Sequence, residues 1–247
     1  MKFTGDPKPR YSLKQYCPTP GQQGEIGSCV GWAVGYAALT ISNAYNAGEQ
    51  NRDNINNMAH SAMYIYNQIK VKSCAEGSVI DEALDLLIDK GDCLASEFNP
   101  VTDCYAVPDR QDHAAALPYR IKDYGTLFGV EASRDVKINA TINSIAEGKP
   151  VMIGMIVKPS FSTLRGENWS PMPNEQAIGG HAMTVVGYDN MRKVFEVMNS
   201  WGTGWGKDGF FLLTYDQYYK SVKYGYQMLL EKRNNNTTTV SLSGEFD

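Results

Sequence analysis

The sequence predicts an α+β fold of two lobes with a cleft between them, and three observations predict it. Helical patterning fills the first half of the chain, and strand patterning fills the second. A thiol opens the first helix of the first half. An imidazole and a side-chain amide stand at strand ends in the second half. These groups are expected to face one another across the seam. At 247 residues the chain suffices for one large domain or two intimate lobes around a shared cleft.

The elements follow in order. Ser28 is placed to cap a helix starting at Cys29, with Val30, Ala33, Val34, Ala37, Ala38 and Ile41 apolar. The spacing of Tyr64, Ile65, Gln68 and Ile69 predicts a second helix over 61–72. Ser78 is placed to cap a third, Asp81 stands three residues on, and Ile80, Ala83, Leu84 and Leu87 make its buried stripe; Gly91 closes it. Residues 96–120 hold three prolines and read as loop. A further helix runs from Asp135, as N-cap, through Ile138, Ile142 and Ile145 to Gly148 and Pro150. Strands are expected at Val151–Val157, 182–188, 194–199 and 209–215. Residues 233–239 read as a frayed polar tail, in which Asn235 and Asn236 begin glycosylation sequons. The expected organisation is one domain over 1–232, with an N-terminal arm 1–23, a helical lobe over about 24–115, a β lobe over about 116–232, and a polar tail 233–247.

Composition narrows the partners. Apolar residues make up 43% and charged residues 20%, ordinary values that argue against disorder except at the ends. A net charge of −4 without a long basic run makes nucleic acid a poor partner. The longest apolar run, Val151–Val157, is strand-sized, so no membrane span is expected. Residues 1–16 do not read as a leader. The chain is expected to be cytoplasmic, or a mature secreted protein whose leader was removed, and its five cysteines lean toward the second.

If Cys29 is a reactive thiol, then Cys17, Cys74, Cys93 and Cys104 remain for pairing. A local Cys93–Cys104 loop with Cys17–Cys74 is the preferred pairing; four reduced, buried thiols are the equal alternative. There is no C-x-x-C, and His60 and His113 adjoin no cysteine, so no metal or cofactor is expected.

Four residue types at these positions suit acyl chemistry. Cys29 sits at a predicted helix N-terminus, where outward N–H groups favour a thiolate. A lone cysteine on an apolar helix is usually core, but the flanking pattern reverses that preference. His181, after Gly179 and Gly180 and before the apolar 182–186, is placed to pair with the thiolate and then protonate a leaving amine. Asn199, at a strand end, is placed to accept from the imidazole, with Trp201 shielding that bond; alone it would read as a turn residue. Gln23 is placed to join the Cys29 N–H in an oxyanion hole, although a single glutamine is by default a solvated loop residue.

The segment from Gln23 to Cys29 reads Q-G-E-I-G-S-C, and that from Asn199 to Gly206 reads N-S-W-G-T-G-W-G. They match the Q-G-x-x-G-S-C and N-S-W-G-x-x-W-G patterns of the papain family of cysteine peptidases, which the chain resembles from about Gln23 to Phe211. The resemblance implies a papain-like two-lobe fold, with a helical left lobe and an antiparallel, β-barrel-like right lobe. It also implies a cleft for extended peptides, with Cys29 as nucleophile, His181 as acid/base, Asn199 as orienting residue and Gln23 in the oxyanion hole. Cys74-Ala75-Glu76-Gly77 is similar to the family's C-x-G-G segment, which lines the non-primed subsites. Glu76, Gly77, Gly180 and Trp201 are accordingly the expected substrate-lining residues. Val30 and Ile26 depart from the family pattern, which has a tryptophan after the nucleophile and, in many members, a cysteine where Ile26 stands.

The resemblance implies a cysteine-type endopeptidase acting on peptides or proteins, expected as a monomer without cofactor, and similar in its C-V-G-W-A form to bacterial members. Acyl transfer to an amine, as in a transpeptidase, and a non-catalytic peptide-binding module are the alternatives. The proline-containing segment 158–176 reads either as a flap over the site or as a surface loop.

Overall fold

The helix that begins at Cys29 (α1, residues 29–47) carries no charged residue from Val30 to Ser42, and a helix apolar on all sides must be buried. The computed structural model, which describes residues 7–230, places it at the centre of the molecule. Its first turn, Cys29–Gly31, is α-helical, Trp32–Leu39 widens into π-helical turns, and Thr40–Ala47 returns to α geometry. Gly48, with φ of 67°, ends it. One face packs on Ile65, Ile80, Leu84 and Leu87; another packs on Met152, Ala182 and Met228 of the sheet. Gly31 permits the tightest approach, since a Cβ there would collide with the Ala62 carbonyl.

The remaining helices follow from caps and stripes. Asn51 caps α2 (Arg52–Asn57), and Ser61 caps α3 (Ala62–Ile69) through the Tyr64 N–H. Helix α4 (Ile80–Asp89) buries the expected Ile80, Ala83, Leu84 and Leu87. Its N-cap is Val79, however, and the Ser78 hydroxyl is buried without a partner, so the expected cap is not made. Ser28 likewise makes no side-chain cap to α1. The stretch expected as loop contains α5 (Arg110–Ala116), held by a capping box between Asp109 and Asp112. Ser133, not Asp135, caps α6 (Arg134–Ala146). Two short helices follow, α7 (Pro159–Ser162) and α8 (Tyr215–Ser221).

Among the described residues, seven antiparallel strands form one sheet: β1 (Arg10–Ser12), β2 (Asp123–Phe128), β3 (Val151–Val157), β4 (Gly179–Asp189), β5 (Val194–Met198), β6 (Phe210–Thr214) and β7 (Val222–Leu229). Their order is β2-β7-β3-β4-β5-β6, with β1 also on β4. The long β4 serves two neighbours on one edge: β3 takes Gly179 to Val185, and β1 takes Gly187 to Asp189. Among the described residues the sheet is an open path and does not close into a barrel. One core cluster lies between this sheet and α6 and α8, and another joins α1 and α4 to the sheet. A third sits within the helical half.

The disulfide departs from expectation. Cys74 pairs with Cys104 across a Cα separation of 5.6 Å, while Cys17 and Cys93 are buried free thiols. Cys17 belongs to the core under the sheet, away from Cys74, which packs on the core of the helical half; Cys93 and Cys104 share that helical-half core, but Cys104 is taken by Cys74. Among the described residues no helix is long and apolar enough to cross a membrane. The 233–247 tail, with its two sequons, lies outside the described residues.

Candidate active site

Cys29 is the first residue of α1 and is half-buried. Backbone N–H groups of Ala182, Val30 and Cys29 itself reach its sulfur and favour a thiolate. Burial is the larger effect and pushes the thiol above its ordinary value. The Ala182 contact sets the sulfur beside the residue that follows His181 in β4.

His181 is the third residue of β4 and lies opposite Met155 of β3. Its Nε2 lies 2.7 Å from Oδ1 of Asn199. The same Oδ1 accepts the Ser200 N–H at 2.8 Å, which identifies it as the oxygen and makes the imidazole Nε2–H the donor. In the neutral ring the lone pair is then on Nδ1. Asn199 follows β5 directly and is fixed by donating its backbone N–H to the Gly209 carbonyl. The Trp201 ring stacks on the imidazole, with centroids 4.8 Å apart, and Phe161 sets its edge against both rings. This aromatic cover keeps water from the imidazole–amide bond; His181 is only 6% exposed and Asn199 3%. Burial lowers His181 to about 4, with the Asn199 bond opposing the shift. Nδ2 of Asn199 is buried without a protein partner, a cost the fold carries at this position.

Burial therefore favours the neutral thiol and the neutral imidazole individually. In a thiolate–imidazolium pair, mutual attraction opposes both shifts. Both forms of such a pair hold a single proton, so its titration belongs to the pair and not to either residue.

Gln23 lies across the same seam and is buried. Its Oε1 accepts from the Ser200 hydroxyl at 2.7 Å, and its Nε2 donates to the Ile26 carbonyl at 2.9 Å. One Nε2–H is left for another acceptor. The Gln23 N–H donates to the Ser200 carbonyl at 2.9 Å, and Gln22 bridges to Trp201.

The Cys74–Gly77 loop packs on Gly27, two residues before Cys29. Gly27 donates its N–H to the Cys74 carbonyl at 2.7 Å, and a Cβ on Gly27 would strike the Glu76 carbonyl. The Tyr66 hydroxyl donates to the Glu76 carbonyl at 2.6 Å. Gly77 is exposed and Glu76 half-buried, and Gly179 and Gly180 are exposed at the start of β4. In the 158–176 segment, Phe161 and Trp169 are buried in the β half, while Glu175 accepts from Ser160 and Met172. The segment is thus anchored through Phe161, which the sequence reading did not single out.

A second thiol and imidazole, Cys93 and His60, lie near each other inside the helical half, both fully buried. His60 is held between Asn43 and the Asp92 carbonyl. With no exposure, this pair offers a substrate no approach. Among the described residues, no group of three or more His, Cys, Asp or Glu is arranged to hold a metal ion. Ser200 and Tyr66 are further residues the sequence reading passed over. Ser200 stands inside the recognisable N-S-W-G segment and was legible there; nothing in the sequence marks Tyr66.

Fold and site define the class: an α+β chain with a thiol at a helix start and an imidazole–amide pair at the facing strand ends. The chain belongs to the papain family of cysteine proteases, whose model matches residues 11–229. It is accordingly a cysteine peptidase, a hydrolase. An uncharacterized peptidase C1-like protein of Acanthamoeba polyphaga mimivirus is 27% identical over 235 residues, covering 87% of this chain and 73% of that protein. Cysteine proteinase 3 of Entamoeba histolytica is 34% identical over 101 residues, which is 39% of this chain and 33% of that one. Among solved structures, xylellain, a cysteine protease from Xylella fastidiosa, superposes with a TM-score of 0.74 at 22% identity, covering 92% of this chain and 87% of its own. The Carica candamarcensis cysteine protease CMS1MS2, in complex with E-64, gives 0.68 at 19% identity, covering 91% and 99%.

Proposed function

We propose that the chain hydrolyses peptide bonds through a Cys29–His181–Asn199 triad with a Gln23-assisted oxyanion hole. The observation that carries this reading is the 2.7 Å His181–Asn199 bond in a strand whose next N–H meets the Cys29 sulfur. The sulfur attacks the scissile carbonyl as its proton passes to Nδ1 of His181. The carbonyl oxygen becomes an oxyanion, met by the Cys29 N–H and the remaining Gln23 Nε2–H. The C–N bond then breaks, the imidazolium protonates the departing amine, and a thioester remains. Water, deprotonated by the same imidazole, hydrolyses the thioester and restores the thiol. Asn199 holds the ring orientation throughout. The backbone at Glu76 and Gly77, with Gly180 and Trp201, forms the lining for an extended substrate. An oxidising, extracytoplasmic setting fits the Cys74–Cys104 disulfide.

The test compares wild type with Cys29→Ala on a peptide library, alongside E-64 labelling. Wild type is expected to cleave and to be labelled at Cys29, and the variant to do neither. Cleavage retained by the variant would overturn the triad. Amide products formed with added amines, in place of acids, would replace hydrolysis with acyl transfer.

A further inference from the structure

We infer that Tyr66 is a positioning residue whose hydroxyl turns the Gly77 N–H toward an extended substrate; this rests on the reading of function above. Tyr66 lies on α3 and is fully buried. Its hydroxyl meets three backbone carbonyls of the adjoining loop, those of Ser73 at 3.3 Å, Cys74 at 3.1 Å and Glu76 at 2.6 Å. A carbonyl only accepts, so the hydroxyl must donate, and its single proton goes to the nearest oxygen, that of Glu76.

The Glu76–Gly77 peptide is trans and planar, so its N–H points away from its carbonyl. With the carbonyl drawn inward to Tyr66, the Gly77 N–H is turned outward. Gly77 is exposed, and its N–H donates to no group among the described residues. This free donor lies beside the thiol: a Cβ on Gly27, two residues before Cys29, would stand 3.1 Å from the Gly77 nitrogen. The orientation needs a lock, because glycine at 77 has no Cβ to oppose a positive φ and so tolerates a flip of the peptide before it. The other ties of the loop do not hold this plane. The Gly27 N–H binds the Cys74 carbonyl, the Glu76 N–H binds the Ser73 carbonyl at 3.1 Å, and the disulfide anchors Cys74. Among the described residues, the Tyr66 bond alone reaches either end of the Glu76–Gly77 peptide.

Tyr66→Phe keeps the buried ring and removes the lock. With extended peptides KM is expected to rise ~10-fold at unchanged kcat, because a backbone bond away from the scissile link serves ground state and transition state alike. E-64, which offers a peptide backbone, should alkylate Cys29 ~10-fold more slowly in the variant. Iodoacetamide, too short to reach the loop, should react at the wild-type rate. Tyr64→Phe is the control for structural damage: it strips a phenol hydroxyl from the same helix, one that bonds His113 at 2.8 Å and not the loop. It should leave the ratio of the two alkylation rates at the wild-type value. Crystal structures supply a readout that needs no turnover. The Glu76 carbonyl should face residue 66 in wild type and be rotated, or split between two orientations, in Tyr66→Phe. In wild type labelled with E-64, which needs no variant, the Gly77 N–H should donate to an inhibitor carbonyl. A wild type that cleaves no peptide and ignores E-64 would end the reading of function, and the crystal comparison would still decide Tyr66. The inference is overturned if Tyr66→Phe keeps the peptide in its wild-type orientation, leaves KM and the E-64 rate unchanged, or slows E-64 and iodoacetamide by the same factor.

Discussion

Asp92 is a carboxyl group the chemistry does not use, and it shows what burial does to a single residue here. It is fully buried, both of its oxygens lack partners, and Oδ2 sits against Gly35 in the widened part of α1. Burial raises it well above the ordinary carboxylate range, with the Glu97 charge adding to the shift. The folded state therefore holds a proton that the unfolded state releases near pH 3.9. Stability must fall as pH rises above that value, by about 1.4 kcal/mol per pH unit, until the folded group ionises. Asp92→Asn cannot ionise. Its stability relative to wild type, from urea unfolding at pH 4 to 8, is expected to grow with pH; a constant difference would mean the carboxyl finds a partner. His181 has the opposite sign. Lowered to about 4, it contributes stability that is full above its unfolded value near 6.5 and lost as pH falls toward 4.

At the scale of elements, the position of Cys29 depends on how closely α1 approaches α3. Gly31 makes that approach possible. Gly31→Ala would force the Cβ into the Ala62 carbonyl, and overpacking of this kind costs about 1–3 kcal/mol. The expected outcome is a lower melting temperature together with a several-fold loss of kcat, since the displaced turn carries the thiol. Full activity at a lowered melting temperature would show that the first turn of α1 moves independently.

Legibility in the sequence also divides by element. The stripe of α4 and the apolar cores of β3 to β6 are legible because periodicity reports burial on a regular surface. Helix α5 is hidden among prolines, although Asp109 and Asp112 carry a readable capping signal. The widened turns of α1 have no sequence signature, because every face of that helix is apolar. Strand β1 is three residues long and exists only through pairing with β4. Cysteine pairing depends on spatial adjacency, which spacing does not encode: the sequence favours the shorter Cys93–Cys104 loop, and the fold instead brings Cys74 to Cys104.

For the whole molecule, the recognisable residues lie far apart in sequence and meet only at the seam. Residues 23–29 and 199–201 were readable as short segments, because each encodes a local turn with a chemical group attached. The contacts that join them were not, including Ser200 to Gln23, Ala182 to Cys29 and Phe161 beneath Trp201. The seam is also where the helical and sheet halves share a core, so site geometry and global stability draw on the same packing. A change that loosens the packing of α1 on Met152 and Ala182 is therefore felt at the thiol.

If Cys29 and His181 titrate as one unit, the pH dependence of Cys29 alkylation reveals it. In wild type the rate should rise through an acid limb that belongs to the pair and hold through neutrality. In His181→Gln the buried thiol stands alone with a raised pKa, so the rate at pH 7 should fall at least ~10-fold and climb only in alkaline solution. Identical profiles for the two proteins, both rising only at alkaline pH, would mean that the thiol titrates alone, without His181.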